Sequence, residues 1–123
     1  LFARARKVSL AEEGRLPSYE AEIPEQWSFE RMGGLPDTVV DHAFNGWPGD
    51  CVIEQPGAGY RLACSASGAE HFLLFCPQGQ GFFCFEPVTH PVNAHHLPGR
   101  PGLRLLQRGE AMSLGFRMQY QTL

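Results

Sequence analysis

The spacing of glycine and proline restricts the fold of this chain more than any other feature. Fourteen glycines and ten prolines divide the 123 residues into short pieces, none with sustained helical periodicity. Apolar or alternating segments of strand length recur about every ten residues, with turn residues between them. We therefore predict an all-β fold, an antiparallel β-sandwich or barrel.

The predicted strands lie in seven segments. The last is the clearest, because apolar residues from Met112 to Tyr120 alternate with polar ones, which is the period of a half-buried strand. Two runs rich in phenylalanine, 71–76 and 81–86, predict apolar strands. Four further segments complete the set: 4–10, 51–54, 60–64 and 103–106.

The segment from Arg15 to Pro36 is polar and is broken by three prolines and two glycines. It predicts a long surface connection, and connections of that length are often functional. The whole chain has room for one domain, residues 1–123. Because it starts without a methionine and within a predicted strand, we expect it to be a piece of a longer protein.

Charge and hydropathy exclude several classes of partner. The net charge of −3 argues against a nucleic-acid surface, which needs a basic face. No apolar run approaches the roughly 20 residues of a membrane helix, and no signal-peptide core is visible. Four cysteines without a Cys-x-x-Cys spacing predict reduced thiols. We therefore expect a cytoplasmic protein with no nucleic-acid partner and no membrane partner.

Glu86 is the first candidate for chemistry. It ends the strand predicted at 81–86, and Pro87 is expected to stop the hydrogen-bond ladder just after it. Burial at that position would raise the pKa of the carboxyl group toward the range of a general base. The alternative is an ordinary strand-end glutamate, which this segment taken alone favours.

The segment from Val40 to Trp47 is the second candidate, because it joins Asp41 to aromatic residues. Carbohydrate sites commonly combine a carboxylate that accepts sugar hydroxyls with an aromatic ring that packs on the sugar. The alternative is an Asx turn at Asn45 and Gly46 with Trp47 in the core.

Three histidines within residues 90–96 form the third candidate, and they invite a metal interpretation. No acidic or thiol ligand lies at a suitable spacing, so a loop with exposed imidazoles and no metal is favoured. His71, on an apolar strand, is most simply a packing residue.

Read in order, the motifs form a larger pattern. Asp-His-x-Phe-x-Gly-Trp occupies residues 41–47, and Cys-Phe-Glu-Pro-Val-Thr-His-Pro-x-Asn-Ala occupies residues 84–94. A Gly-Glu pair at 109–110 then precedes the last alternating strand. This order resembles the C-terminal part of the aldose 1-epimerase, or galactose mutarotase, family. The resemblance covers nearly the whole chain, and residues 84–90 are its most specific part.

The resemblance implies a fold, a substrate and roles for particular residues. The family fold is a large antiparallel β-sandwich, its substrate is a free aldose such as galactose or glucose, and it uses no metal or organic cofactor. The family's catalytic base falls on Glu86 and its sugar-binding aspartate on Asp41. His90 lies near the site by position, and Trp47 is the aromatic residue expected to contact the sugar.

The resemblance also implies that part of the machinery lies elsewhere. The family's general acid is a histidine in the preceding half of the protein, and no histidine here matches it by motif. We expect the missing N-terminal half, or a partner chain, to cover an otherwise exposed sheet face. The alternatives are a non-catalytic carbohydrate-binding module and an epimerase relative acting on hexose 6-phosphates. The second would need a basic pocket, for which three arginines are available: Arg31, Arg100 and Arg104.

Overall fold

Nine β-strands form two antiparallel sheets in the computed structural model, which describes residues 1–123. The strands are β1 (Phe2–Ala3), β2 (Lys7–Leu10), β3 (Tyr19–Ala21), β4 (Val40–Asn45), β5 (Asp50–Gln55), β6 (Tyr60–Ser67), β7 (His71–Cys76), β8 (Cys84–Val88) and β9 (Gly115–Thr122). The only helical elements are two 3₁₀ turns, Glu25–Trp27 and Pro56–Ala58. No helix is of a length and apolarity that could cross a membrane.

The two sheets contain four and five strands. The first has the order β1-β5-β6-β9, and the second has the order β3-β2-β4-β7-β8. All neighbouring strands pair antiparallel. The predicted all-β sandwich is therefore confirmed.

Aromatic side chains fill the space between the sheets. Phe72 stacks on Phe44 with ring centroids 4.9 Å apart, and on Phe85 with centroids 4.5 Å apart. From the four-stranded sheet, Cys51 and Cys64 lie opposite each other and are buried. Full burial of one phenylalanine side chain stabilises a fold by about 1.5–3 kcal/mol. The stack of rings thus holds β4, β7 and β8 in fixed positions.

The five-stranded sheet has one face in the core and a second that we call the outer face. Because side chains alternate along a strand, the chain neighbours of Phe44, Phe72 and Phe85 point away from the core. The outer face carries Ser9, Asp41, Ala43, Asn45, His71, Leu73 and Glu86.

Three predicted strands are confirmed closely. The segment 71–76 is β7, and the segments 51–54 and 60–64 lie inside β5 and β6. The segment 4–10 is interrupted, since residues 4–6 form no strand and separate β1 from β2. That break lets the chain leave one sheet and enter the other.

Two other strand predictions are wrong in part or in whole. Residues 103–106 form no strand, and the side chain of Leu105 is 83% exposed. The strand predicted at 81–86 begins only at Cys84 and continues through Pro87 to Val88. Pro87 does not stop the ladder because β8 is an edge strand, where a missing N–H can face away from the sheet.

The segment 15–36 is more ordered than predicted. It contains β3, which pairs with β2, and the 3₁₀ turn Glu25–Trp27. Phe29 is buried and meets the ring of Phe44 edge-on at 5.8 Å. The prediction of a surface connection was wrong for these parts, because isolated apolar residues in a polar segment give no periodic signal.

The last predicted strand forms, but it begins at Gly115 and not at Met112, and it is not half-buried. β9 pairs with β6 along its whole length, yet every residue of β9 is exposed. Phe116, Met118 and Tyr120 form an apolar row on one of its faces, and Tyr120 is 62% exposed. No second layer of this chain packs against that row.

Candidate functional site

The outer face brings Asp41 and Glu86 to the same side of one sheet. Asp41 pairs with Phe75 across β4 and β7, and Glu86 pairs with Leu73 across β7 and β8. The two carboxylates are therefore two strands and two residues apart, a Cα separation of about 12 Å for ordinary sheet spacings. Both side chains are exposed, and neither forms an ion pair within the chain.

A cleft of about 510 Å³ opens beside Asp41. Ala43 and Leu73 of the outer face line it together with Asp41. Its walls include two aromatic residues, Tyr19 and Trp27, a cation, Arg15, and Val92 of the loop after β8. The volume lies in the range of small-molecule sites, roughly 300–1,000 Å³. Glu86 does not line the cleft, but it adjoins Leu73, which does.

A buried group of hydrogen bonds lies farther along the outer face, centred on Asn45. The Asn45 Nδ2 donates to Ser9 Oγ at 2.8 Å and to Glu20 Oε1 at 2.7 Å. The Asn45 Oδ1 lies 2.9 Å from His71 Nδ1. The side chain of Asn45 thus links four strands. Its amide therefore does not form the Asx turn that was the alternative for this segment.

His71 is 6% exposed, as expected for a packing residue, but its ring is also hydrogen-bonded. Burial lowers the pKa of His71 from its ordinary value of 6.5. The negative charges of Glu70 and Glu20 act in the opposite direction, and His90 adds to the lowering. The imidazole is therefore neutral at pH 7.

Trp47 lies in the core and not with Asp41. It is 2% exposed, and its ring meets Phe72 and Phe85 edge-on at 5.8 and 5.6 Å. Its Nε1 donates to the backbone oxygen of Asp50 at 2.9 Å. The alternative considered for this residue, a packing role, matches its position. In this chain neither face of the indole is free for a sugar.

Local hydrogen bonds order the loop that follows β8. His90 is half-buried, with Nδ1 2.7 Å from Thr89 Oγ1. Asn93, in a left-handed conformation at φ 63°, donates from Nδ2 to the backbone oxygen of Pro17 at 2.8 Å. His96 Nδ1 lies 2.7 Å from Asn93 Oδ1. No three His, Cys, Asp or Glu side chains come together closely enough to hold a metal ion.

The sequence pointed to Asp41, Glu86 and His90, but it did not predict the hydrogen-bond network of Ser9, Glu20 and Asn45, although Asn45 lies in the candidate segment 40–47. These three residues are ordinary polar residues in the sequence, separated by up to 36 positions. The register of β2, β3 and β4 brings them together, and no local motif encodes that register. The only available signal was alternation, which places Ser9 and Asn45 on the polar side of apolar strands.

The fold and the site together define a β-sandwich whose outer sheet face carries two carboxylates without ion-pair partners, Asp41 and Glu86, the first of them lining a cleft of about 510 Å³. The crystal structure of a "Putative aldose 1-epimerase" from Escherichia coli K12 has this fold. It aligns with a TM-score of 0.86 at 28% identity, over 99% of this chain and 45% of that chain. The predicted resemblance to the C-terminal part of the aldose 1-epimerase family is therefore confirmed.

Curated proteins give two further similarities, while no protein-family model matches. The chain is 28% identical over 110 residues to "Uncharacterized protein YphB" of Escherichia coli (strain K12), which is 83% of this chain and 38% of that protein. It is 33% identical over 81 residues to the "tRNA 5-methylaminomethyl-2-thiouridine biosynthesis bifunctional protein MnmC" of Cupriavidus necator, 63% of this chain and 12% of that protein. The chain thus spans less than half the length of each protein that it matches.

Proposed function

We propose that this chain is part of an aldose 1-epimerase, an isomerase that interconverts the α and β anomers of a free hexose such as galactose or glucose. One observation carries the proposal. Asp41 and Glu86, which are distant in sequence, lie on the same face of one sheet, where Asp41 lines a cleft and Glu86 adjoins its lining residue Leu73. The similarity to a structure named for this activity supports it.

Glu86 acts as the general base. It removes the proton from the C1 hydroxyl while an acid protonates the ring oxygen, so that the ring opens to the aldehyde. Rotation about the C1–C2 bond lets the ring close on the other face of the carbonyl, and each catalyst then reverses its role. A carboxylate with no partner within the chain is available for this proton transfer.

Asp41 holds the sugar by accepting hydrogen bonds from its hydroxyls, since an ionised carboxylate is an acceptor only. Two aromatic side chains in the same cleft, Tyr19 and Trp27, offer apolar surface to the C–H face of the sugar. His90, in the loop after β8, is a further substrate-binding residue. Trp47 supports the site from beneath, by packing against Phe85 on the strand that carries Glu86.

The general acid and the cover of the apolar row on β9 come from outside these residues. We propose that they belong to the preceding half of a longer sandwich, with residues 1–123 as its C-terminal part, or to a partner chain. An apolar row such as Phe116, Met118 and Tyr120 is the kind of surface that a second layer buries.

Polarimetry of freshly dissolved α-glucose or α-galactose tests the proposal in the whole protein that carries this chain. We expect Glu86→Gln to lower the rate of anomerisation by about 10²- to 10⁴-fold, the usual contribution of a general base. Glu30→Gln is the matched control, because Glu30 is an exposed glutamate that does not line the cleft beside Asp41. A Glu86→Gln protein with the wild-type rate would contradict the proposal.

The same assay addresses the second candidate, a non-catalytic sugar-binding module. That candidate keeps the sandwich fold and Asp41 as a sugar-binding residue, without catalysis. It predicts saturable binding of aldose that Asp41→Ala weakens, with no anomerisation above the uncatalysed rate.

For hexose 6-phosphates, none of the three arginines considered above lines the cleft beside Asp41. Only Arg15 does, and it is paired with Glu12 at 3.2 Å.

A further inference from the structure

The hydrogen bonds of Asn45 fix which ring nitrogen of His71 carries the proton. Glu20 is a carboxylate and can only accept, so the atom of Asn45 that faces it must be the donor Nδ2. The atom that faces His71 is then Oδ1, which can only accept. His71 must therefore donate from Nδ1.

A neutral imidazole protonated on Nδ1 has its lone pair on Nε2. Burial lowers the pKa of His71, which keeps the ring neutral at pH 7. Nε2 is thus an acceptor of hydrogen bonds.

No group of this chain forms a hydrogen bond with Nε2 of His71. The hydrogen bonds of His71 within the chain involve Nδ1 alone. Arg61 Nε is the only fully buried side-chain nitrogen or oxygen without a partner. Nε2 is therefore not fully buried, even though the residue as a whole is more than nine-tenths buried.

Strand register places this acceptor next to Glu86. Leu73 pairs with Glu86 and His71 pairs with Val88, so His71 and Glu86 are diagonal neighbours across β7 and β8. Diagonal neighbours on one face of an antiparallel pair are about 7–8 Å apart. A ligand of hexose size bound at Glu86 can therefore reach both side chains.

We propose that His71 is a substrate-binding residue, whose Nε2 accepts a hydrogen bond from a hydroxyl of the aldose held at Glu86. Glu20 and Asn45 are positioning residues that hold the ring in the accepting tautomer. This inference rests on the proposed function and adds a specificity-determining contact to it.

A series of monodeoxy hexoses, each lacking one hydroxyl, tests this contact in the whole protein. We expect the wild type to lose about threefold to tenfold in affinity for the deoxy sugar that lacks the bonded hydroxyl, the value of one neutral hydrogen bond. In His71→Phe that one penalty should disappear, while the penalties for the other deoxy sugars remain. The exposed His95→Gln is the control and should keep every penalty.

A purely structural role for His71 predicts a different result, in which the substitution weakens all sugars alike and keeps every deoxy penalty. That result would overturn the inference. If the wild type anomerises hexose but His71→Phe keeps the full pattern of penalties, only this inference fails. If the wild type neither binds nor anomerises any hexose, the proposed function fails with it.

A measurement on the wild type covers the case in which His71→Phe does not fold. Nitrogen-15 NMR of the histidine rings reads the tautomer of each imidazole directly. We expect a proton on Nδ1 of His71, and an Nε2 resonance that shifts on saturation with hexose. A proton on Nε2, or a resonance unmoved by saturating hexose, contradicts the inference.

Discussion

At the scale of single residues, Asn45 does the most to connect the outer face. Its amide joins side chains of β2, β3 and β7 to its own strand, β4, and it is almost wholly buried. A buried donor or acceptor left without a partner costs about 1–3 kcal/mol. Asp would place a second carboxylate against Glu20, and Leu would leave the buried side chains of Ser9 and His71 without their hydrogen-bond partner. The network therefore depends on the type of residue at position 45.

The buried histidine of this network makes stability depend on pH. Burial lowers the pKa of His71 below its ordinary 6.5, against the opposing charges of Glu20 and Glu70, while His90 adds to the lowering. The unfolded chain therefore takes up a proton at His71 at a higher pH than the folded chain does. Stability should be fully present above pH 6.5 and fall below it, by up to about 1.4 kcal/mol per pH unit for each such histidine.

Urea unfolding across a pH series measures this dependence. His71→Gln should reduce the slope of the unfolding free energy against pH below 6.5. His42→Gln should also reduce it, since burial lowers the pKa of His42 against the opposing charge of Asp41. An unchanged slope in His71→Gln would show that His71 is not held neutral by the fold.

At the scale of elements, the loop after β8 is held in place by a close backbone contact at Gly102. Gly102 has φ 71°, and a Cβ there would lie 2.0 Å from the backbone oxygen of Thr89. Because Thr89 precedes His90, a side chain at position 102 would displace the part of the loop that borders the outer face.

Gly102→Ala should therefore destabilise the protein and weaken sugar binding together. Gly99→Ala is a matched control, because Gly99 has nearly the same φ, 72°, but open space around its Cβ position. The left-handed conformation alone costs about 1–2 kcal/mol for alanine, and the clash should add about 1–3 kcal/mol at Gly102. Thermal unfolding and sugar titration measure the two effects. Equal losses in the two variants would contradict this account.

The strands that the sequence predicted well are those whose pattern is decided locally. β5, β6 and β7 combine apolar runs or alternation with clear turn residues at their ends. The errors arose where partners far along the chain decide the structure. The apolar residues at 103–106 have no strand to pair with, and Pro87 stays in β8 only because that strand lies at the sheet edge.

At the scale of the whole molecule, the apolar row of β9 is the most unusual surface, because no part of this chain covers it. Three large apolar side chains alternate along an exposed strand whose outer edge is unpaired. Both features favour association with other chains. Asp41 and Glu86 were singled out because they lie in recognisable motifs, whereas no local pattern distinguishes the exposed row on β9 from a half-buried strand.

We expect the isolated chain of residues 1–123 to self-associate through β9. Met118→Lys should shift it toward the monomer, because a charge in the middle of the row opposes burial of that face. Leu105→Lys is the control, since Leu105 is more exposed than Met118 but lies outside any strand. Sedimentation velocity over a range of concentrations measures the effect. A chain that stays monomeric at every concentration would contradict the expectation.

Cys51 and Cys64, which pair across β5 and β6, are buried between the two sheets, so their alkylation rate reports how often the sheets separate. Burial raises the pKa of both Cys51 and Cys64, and each also lies close to the other. Only the thiolate reacts with alkylating reagents, so these two thiols should stay unmodified while the sandwich is closed. Cys84, half-buried on the edge strand β8, should react earlier. The ratio of the two labelling rates, measured at physiological pH and without denaturant, then compares two motions. One is separation of the two sheets, and the other is local fraying of the sheet edge.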